Sequence, residues 1–165
     1  MVDANGGYGR GQARRLGAAY DDLAVSWFEE PVSSDDLDGL AAVRADVAAG
    51  EYVATPWAAR ALCAVVDCLQ LDVTRCGGYT GFLACASVAA AHNLDVSAHC
   101  APSLHVPVAL SVPNLRHLEW FADHVRLEPR LLETAPPVAA GALHALPGPG
   151  HGMTVAADPD TFRVG

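Results

Sequence analysis

Five carboxylates and one histidine stand at similar intervals along the chain and could together perform metal-assisted acid–base chemistry. Neighbours in this series are 20 to 27 residues apart, and its members are Asp3, Glu29, Glu51, Asp72, His99 and Glu119. Carboxylates that meet at one point bind hard cations such as Mg²⁺, and an imidazole beside a carboxylate can exchange protons. This chemistry requires a fold that brings the six side chains together.

Each of the six residues follows a short apolar run, and a stretch of helical character leads to the next run. The predicted helices cover about 11–24, 35–44, 56–66, 80–92 and 102–111, with Ser34 as a cap of the second and Pro56 at the start of the third. Strands that alternate with helices predict an α/β fold with a parallel sheet or barrel, whose functional side chains lie where the strands end. The alternative is a doubly wound domain in which these acids are incidental.

The carboxylates of Asp3, Glu29 and Glu51 predict a Mg²⁺ site. Neighbouring strands lie about 4.8 Å apart, so carboxylates at three successive strand ends can converge on one point. Three such charges repel one another unless a cation lies between them. Mg²⁺ suits oxygen ligands of this kind, and it stabilises negative charge that develops on a substrate.

Asp72 and His99 end the next two predicted strands and suggest a catalytic pair. A carboxylate beside an imidazole orients the ring and raises its basicity, which would make His99 a general base, or an acid once protonated. The alternative for a single histidine is a hydrogen-bonded core residue. Its place in the series of strand ends favours the catalytic interpretation.

Composition narrows the classes of partner and compartment. A net charge of −9 makes nucleic acid and anionic membranes unexpected partners. All ten basic residues are arginine, so a mechanism that needs lysine must obtain it from outside this chain. Five cysteines without a C-x-x-C pair favour reduced thiols. We therefore expect a cytoplasmic protein with neither signal peptide nor membrane span.

The sequence changes character after Glu119. Residues 134–152 are rich in proline and glycine and read as a tail that crosses a surface, not as another strand–helix unit. The predicted division is a partial barrel over 1–133 and a carboxy-terminal tail over 134–165.

Several short motifs resemble those of the enolase superfamily, specifically of mandelate racemase/muconate lactonizing enzyme-like proteins. The similar segments are Val2-Asp3-Ala4-Asn5, Trp27-Phe28-Glu29-Glu30-Pro31, Gly50-Glu51, Asp72 to Gly78, Ser97-Ala98-His99 and His117-Leu118-Glu119-Trp120. They occur in the family's order and cover nearly the whole chain. The resemblance implies strands 3–8 of a (β/α)8 TIM-type barrel, with a tail that returns to a capping domain expected to be missing here.

The resemblance also implies an activity and a set of site residues. The activity is Mg²⁺-dependent abstraction of the proton next to a carboxylate, most simply dehydration of a sugar acid by a homo-oligomer. His99, Asp72 and Glu119 would be catalytic, Asn5 and Arg75 would contact substrate, and Asp3, Glu29 and Glu51 would bind metal. Racemisation, cycloisomerisation and a catalytically silent barrel fragment are the alternatives.

Overall fold

A computed structural model of the chain describes residues 1–157. Six strands form one parallel sheet, with order β1-β2-β3-β4-β5-β6. These strands are β1 (Val2–Asp3), β2 (Phe28–Glu29), β3 (Val47–Ala49), β4 (Cys68–Leu71), β5 (Asp95–Ala98) and β6 (Leu115–Leu118). The predicted α/β class, with each strand next to its successor, is confirmed.

A helix follows each strand, as the strand spacing requires. The helices are α1 (Arg10–Asp22), α2 (Leu37–Ala41), α3 (Pro56–Leu62), α4 (Gly78–Ala91), α5 (Pro102–Ala109) and α6 (Ala122–Leu131). Thr55 caps α3 by accepting a hydrogen bond from the backbone of Ala58, and Pro56 occupies the first turn as predicted. The prediction that Ser34 caps α2 was wrong. The cap is Asp36, whose side chain accepts a hydrogen bond from the Gly39 amide, and the helix begins at Leu37.

The two faces of the sheet have different side chains. Alternate strand residues such as Val47, Leu69 and Val96 pack against the helices in the main core. The opposite face buries more polar groups, including Gln70 and Ser97. Burial of both faces is typical of parallel sheets that are part of a barrel.

The sheet is strongly curved. β2 and β6 are four positions apart, which in a flat sheet would separate them by about 19 Å. Instead, the rings of Trp27 and His117 are 4.7 Å apart between centroids, and the Arg116 guanidinium donates to the Ser26 carbonyl at 3.1 Å. The six strands therefore form the major part of a TIM-type barrel wall.

The region after the sixth strand contains short antiparallel pairs where the sequence suggested only loose coil. The four strands are β7 (Leu132–Thr134), β8 (Val138–Ala139), β9 (Ala142–Leu143) and β10 (Thr154–Val155), paired β7 with β10 and β8 with β9. The last eight residues of the predicted tail, 158–165, lie outside the described residues. Within 1–157, every helix is too short or too polar to cross a membrane.

Candidate active site and metal centre

The sheet brings all six predicted side chains to the same edge, at the carboxyl ends of its strands. Asp3 and Glu29 are the last residues of β1 and β2, whereas Asp72, His99 and Glu119 directly follow β4, β5 and β6, and Glu51 comes two residues after β3. All except Asp3 are largely shielded from solvent. Buried carboxylates are rare unless a partner compensates their charge, so this edge is the candidate site.

A glycine places Glu51 in the row of strand ends. Gly50 has φ +133°, and a Cβ there would lie 2.6 Å from the backbone oxygen of Gln70. Only glycine combines that conformation with so close an approach to the neighbouring strand. The turn it makes directs Glu51 into the site.

Asp72 and His99 form a hydrogen-bonded pair, as the sequence led us to expect. Their Oδ2 and Nδ1 atoms are 2.9 Å apart, and both side chains are buried. Burial acts to raise the pKa of Asp72, but hydrogen bonds from His99 and Thr74 outweigh it and lower that pKa to about 2. An ionised carboxylate can only accept a hydrogen bond. The His99 Nδ1 therefore carries a hydrogen atom and donates a hydrogen bond to Asp72.

The second ring nitrogen of His99 faces Glu51. The Nε2 atom lies 3.3 Å from Glu51 Oε2. Burial acts to lower the pKa of His99, but the hydrogen bond to Asp72 and the charges of Glu51 and Glu119 prevail, so that this pKa is raised. The arrangement suits a base, since Nε2 can accept a proton and the surrounding anions stabilise the imidazolium that results.

Arg75 balances the negative charge on this side of the site. Its guanidinium lies 3.0 Å from Glu51 Oε1 and 3.6 Å from Asp72 Oδ2, and the ring of Tyr52 stacks 4.5 Å from its charge centre. The structure thus pairs Arg75 with two carboxylates. Its predicted contact with substrate stays a prediction.

Asp3, Glu29 and Glu119 line a shared pocket between the first and last strands of the sheet. The indole of Trp27 donates to Glu29 at 2.9 Å. Burial raises the pKa of Glu29 to about 7 despite this hydrogen bond, and the charges of Glu119 and Asp3 contribute to the rise. Glu30 behaves in the same way, because burial and the charge of Glu51 raise its pKa to about 7.

This donor set fits a hard cation. Burial and repulsion by neighbouring carboxylates raise the pKa values of Glu29, Glu30 and Glu119, a cost that a bound cation would relieve. Their carboxylate oxygen atoms suit Mg²⁺. The ligand atoms of Asp3, Glu29 and Glu51 are not all within 4.8 Å of one another, and the two oxygens of Glu51 are paired with Arg75 and His99. In residues 1–157 the one trio of ligand atoms mutually within 4.8 Å belongs to His99, Cys100 and Glu119.

Asn5 lies in a tight turn immediately after the first strand. Its backbone has φ +46°, and its amide donates to the Asp3 Oδ1 atom at 2.8 Å. This contact orients the Asp3 carboxylate through the backbone of the turn. The predicted role of the Asn5 side chain in binding substrate remains a prediction.

Sequence reasoning did not find the contributions of Cys100, His105 and His124 to the site. Cys100 and Ala101 both adopt left-handed conformations, at φ +51° and +35°. The Cys100 amide donates to Glu119 Oε2 at 2.9 Å, and its Sγ lies 3.2 Å from His99 Nε2. The S-x-H segment signalled the histidine, but no sequence pattern reveals the turn that follows it.

His105 holds that turn in place. Its Nε2 accepts from the Val73 amide at 2.8 Å, while its Nδ1 lies 3.0 Å from the carbonyls of both Cys100 and Ala101. The ring is fully buried, and burial lowers its pKa. It therefore acts as a neutral clamp between the ends of two strands.

Replacing His105 with alanine should lower the free energy of unfolding by about 3–5 kcal/mol, because it leaves a cavity and an unpaired buried amide. Chemical denaturation is the measurement. The exposed His92 provides the matched control, since His92→Ala should change stability by about 0.5 kcal/mol at most. Equal effects of the two substitutions would contradict the clamp.

Comparison with known proteins agrees with this architecture. The model of the family described as "enolase C-terminal domain-like" matches residues 1–159. The L-talarate/galactarate dehydratase of Salmonella typhimurium is 31% identical in an alignment of 130 positions that covers 73% of this chain and 33% of that protein. The 3,6-anhydro-alpha-L-galactonate cycloisomerase of Streptomyces coelicolor is 32% identical in an alignment of 167 positions that covers 94% of this chain and 44% of that protein.

A crystal structure gives the same likeness in three dimensions. The L-talarate dehydratase from Polaromonas sp. JS666, complexed with Mg and L-glucarate, superimposes with a TM-score of 0.88 at 30% identity. The match covers 98% of this chain and 44% of that chain. The chain thus spans from a third to less than half of the length of these relatives.

Proposed function

Because the chain belongs to the family of enolase C-terminal domain-like proteins, we propose that its site removes the proton next to the carboxylate of a sugar acid and then eliminates water. The observation that carries this proposal is the buried Asp72–His99 hydrogen bond of 2.9 Å, set between Glu51 and Glu119 in the row of strand ends. A purely structural histidine would not need this row of aligned carboxylates around its ring.

His99 is the base in this proposal. Asp72 accepts a hydrogen bond from Nδ1–H, which keeps that proton on Nδ1 and leaves the lone pair on Nε2 for the substrate proton. Once protonated, the imidazolium is stabilised by Asp72 and Glu51, and it can return the proton to a departing hydroxyl group. One residue thus acts first as base and then as acid, which suits a chain without lysine.

Asp3, Glu29 and Glu51 would hold Mg²⁺, whose positive charge stabilises the negative charge that grows on the substrate carboxylate. Glu119, at the end of β6, faces the same pocket as Asp3 and Glu29 and would contact the substrate carboxylate as a protonated acid. Burial raises its pKa, which favours that protonated form. Arg75 and Asn5 are the remaining substrate contacts in this proposal.

Dehydration is favoured over cycloisomerisation because two of the three relatives described above are named dehydratases. The cycloisomerase relative supports the second candidate. Both begin with removal of the same proton, so only the product separates them. Loss of water indicates dehydration, whereas an isomer of unchanged mass and altered connectivity indicates cycloisomerisation.

The test is a chimera that joins this chain to the part of the Polaromonas dehydratase that it does not match. With galactarate and Mg²⁺ in D₂O, we expect deuterium at the carbon next to the carboxylate of recovered galactarate, together with a second product that has lost water. NMR measures the exchange and mass spectrometry the loss of water. Both reactions should stop when EDTA removes the metal. A folded chimera that exchanges no proton from galactarate, talarate or glucarate would overturn the proposal.

The 165-residue chain alone should bind Mg²⁺ but show no useful turnover. The unmatched part of the relatives would have to exclude water and orient the substrate, and poor positioning removes most of the proximity advantage. If the chain neither bound Mg²⁺ nor turned over substrate, the alternative of a catalytically silent fragment would be supported. Robust dehydration by the short chain would contradict this expectation.

A further inference from the structure

His99, Cys100 and Glu119 form a compact cluster of three different ligand types. One ligand atom from each lies within 4.8 Å of the other two, and the Nε2–Sγ distance between His99 and Cys100 is 3.2 Å. In a tetrahedral site with ordinary zinc–nitrogen and zinc–sulfur bond lengths, those two atoms would be about 3.5 Å apart. The cluster therefore needs only a small adjustment to surround a cation.

Neighbouring groups already orient the three ligands. Asp72 holds His99 through Nδ1 and leaves the lone pair of Nε2 directed at the cluster, an arrangement common among zinc-bound histidines. The Cys100 amide holds Glu119 through Oε2, so that Oε1 is free to bind. His105 and the side chain of His124, which accepts from the Ala101 amide at 3.0 Å, hold the intervening turn. Hydrogen bonds to the ligand residues thus fix the positions of all three side chains, as expected of a specific binding site.

We propose that His99, Cys100 and Glu119 form a binding site for a thiophilic divalent cation, with Zn²⁺ as the natural occupant. A thiolate, an imidazole and a carboxylate suit Zn²⁺, whereas Mg²⁺ prefers oxygen ligands alone. Binding replaces the thiol hydrogen of Cys100 and releases one proton to solvent for each ion. Cys100 is the one cysteine within residues 1–157 that is not fully buried, so a cation can reach it.

This site and the proposed base share one atom. A cation bound to His99 Nε2 prevents that nitrogen from accepting a proton. Zn²⁺ should therefore switch off proton abstraction even when Mg²⁺ is abundant. This consequence for activity rests on the proposed function, whereas the binding of the cation does not.

Co²⁺, titrated into the purified full chain as a spectroscopic stand-in for Zn²⁺, tests the site. We expect a near-ultraviolet thiolate-to-cobalt charge-transfer band that one equivalent of Zn²⁺ abolishes and excess Mg²⁺ does not. Cys100→Ser should remove the band, Cys63→Ala should keep it, and Asp72→Asn should weaken binding by about 10–100-fold. A band that persists in Cys100→Ser would overturn the proposal.

A second measurement needs no substitution. Zn²⁺ should protect Cys100 of the unaltered chain from iodoacetamide, as read by mass spectrometry, and Mg²⁺ should not. Glu29→Gln separates the two proposals, because it should abolish stabilisation by Mg²⁺ while leaving the cobalt band intact. Equal alkylation of Cys100 with and without Zn²⁺ would exclude this site without affecting the Mg²⁺ proposal.

Discussion

His99→Asn in the chimera should slow proton exchange at the carbon next to the carboxylate by about 10²–10⁴-fold, because a positioned general base accelerates proton transfer by about this factor. Asparagine places an amide nitrogen near the position of Nδ1 and can still donate to Asp72, so the surrounding structure should persist. It offers no group that can accept the substrate proton. NMR of galactarate in D₂O measures the loss directly.

The metal provides the internal check on this result. Stabilisation by Mg²⁺ should survive in His99→Asn, since the imidazole is not among the proposed oxygen ligands. His92→Asn is the matched control, because His92 is exposed at the end of α4, remote from the strand ends that form the site. If His99→Asn exchanged the proton as fast as its parent, another group would have to be the base.

Most of the barrel wall could be predicted because a short apolar run in the sequence marks each strand and a polar residue marks its end. Glu29 terminates its strand, and Asp72, His99 and Glu119 directly follow theirs. Helix ends were less accurate, since α2 covers Leu37–Ala41 where 35–44 was expected. There, adjacent Ser34, Asp35 and Asp36 all offer a capping oxygen, and the choice of Asp36 is accompanied by an ion pair with Arg10, far away in the sequence.

Other features depend on contacts that no local pattern encodes. The turn at Cys100 and Ala101 needs left-handed backbone at two residues without glycine, which is costly unless the surroundings impose it. His105 and His124, four and 23 residues beyond Ala101, impose it through hydrogen bonds. Similarly, the pairing of β7 with β10 joins segments some 20 residues apart across a proline- and glycine-rich stretch. The sequence could therefore suggest His99 as the base, but not that the turn after it brings the Cys100 thiol to His99 Nε2.

In the absence of divalent cations, Glu29 and Glu30 should reduce the stability of the chain as the pH rises from about 4.5 to about 7. Burial raises the pKa values of Glu29 and Glu30 from 4.5 to about 7, so the folded chain keeps protons that the unfolded chain releases. Because the unfolded state binds fewer protons over this range, the free energy of unfolding falls with pH. A shift of this size corresponds to about 3 kcal/mol for each group as an upper limit, and denaturation in EDTA across the range measures it.

Mg²⁺ should reverse this loss, and more strongly at pH 8 than at pH 5. The cation competes with protons for the carboxylates, so at pH 5 it must displace protons that are already absent at pH 8. At a hundredfold excess over its dissociation constant, a ligand specific for the folded state contributes about 2.7 kcal/mol. For a chain of this size that corresponds to a rise in Tm of roughly 5–11 °C at pH 8.

Glu29→Gln isolates the group responsible. Glutamine cannot ionise, so in EDTA at pH 8 the variant should be more stable than the parent by about 1–3 kcal/mol, while at pH 5 the two should be nearly equal. The response to Mg²⁺ should disappear because one proposed ligand has lost its charge. The exposed Glu133 supplies the matched control, and Glu133→Gln should change neither the pH dependence nor the metal response. Equal stability of Glu29→Gln and its parent in EDTA at pH 8 would mean that burial does not hold the Glu29 carboxylate in its protonated form. The electrostatic argument for a cation at these strand ends would then fail.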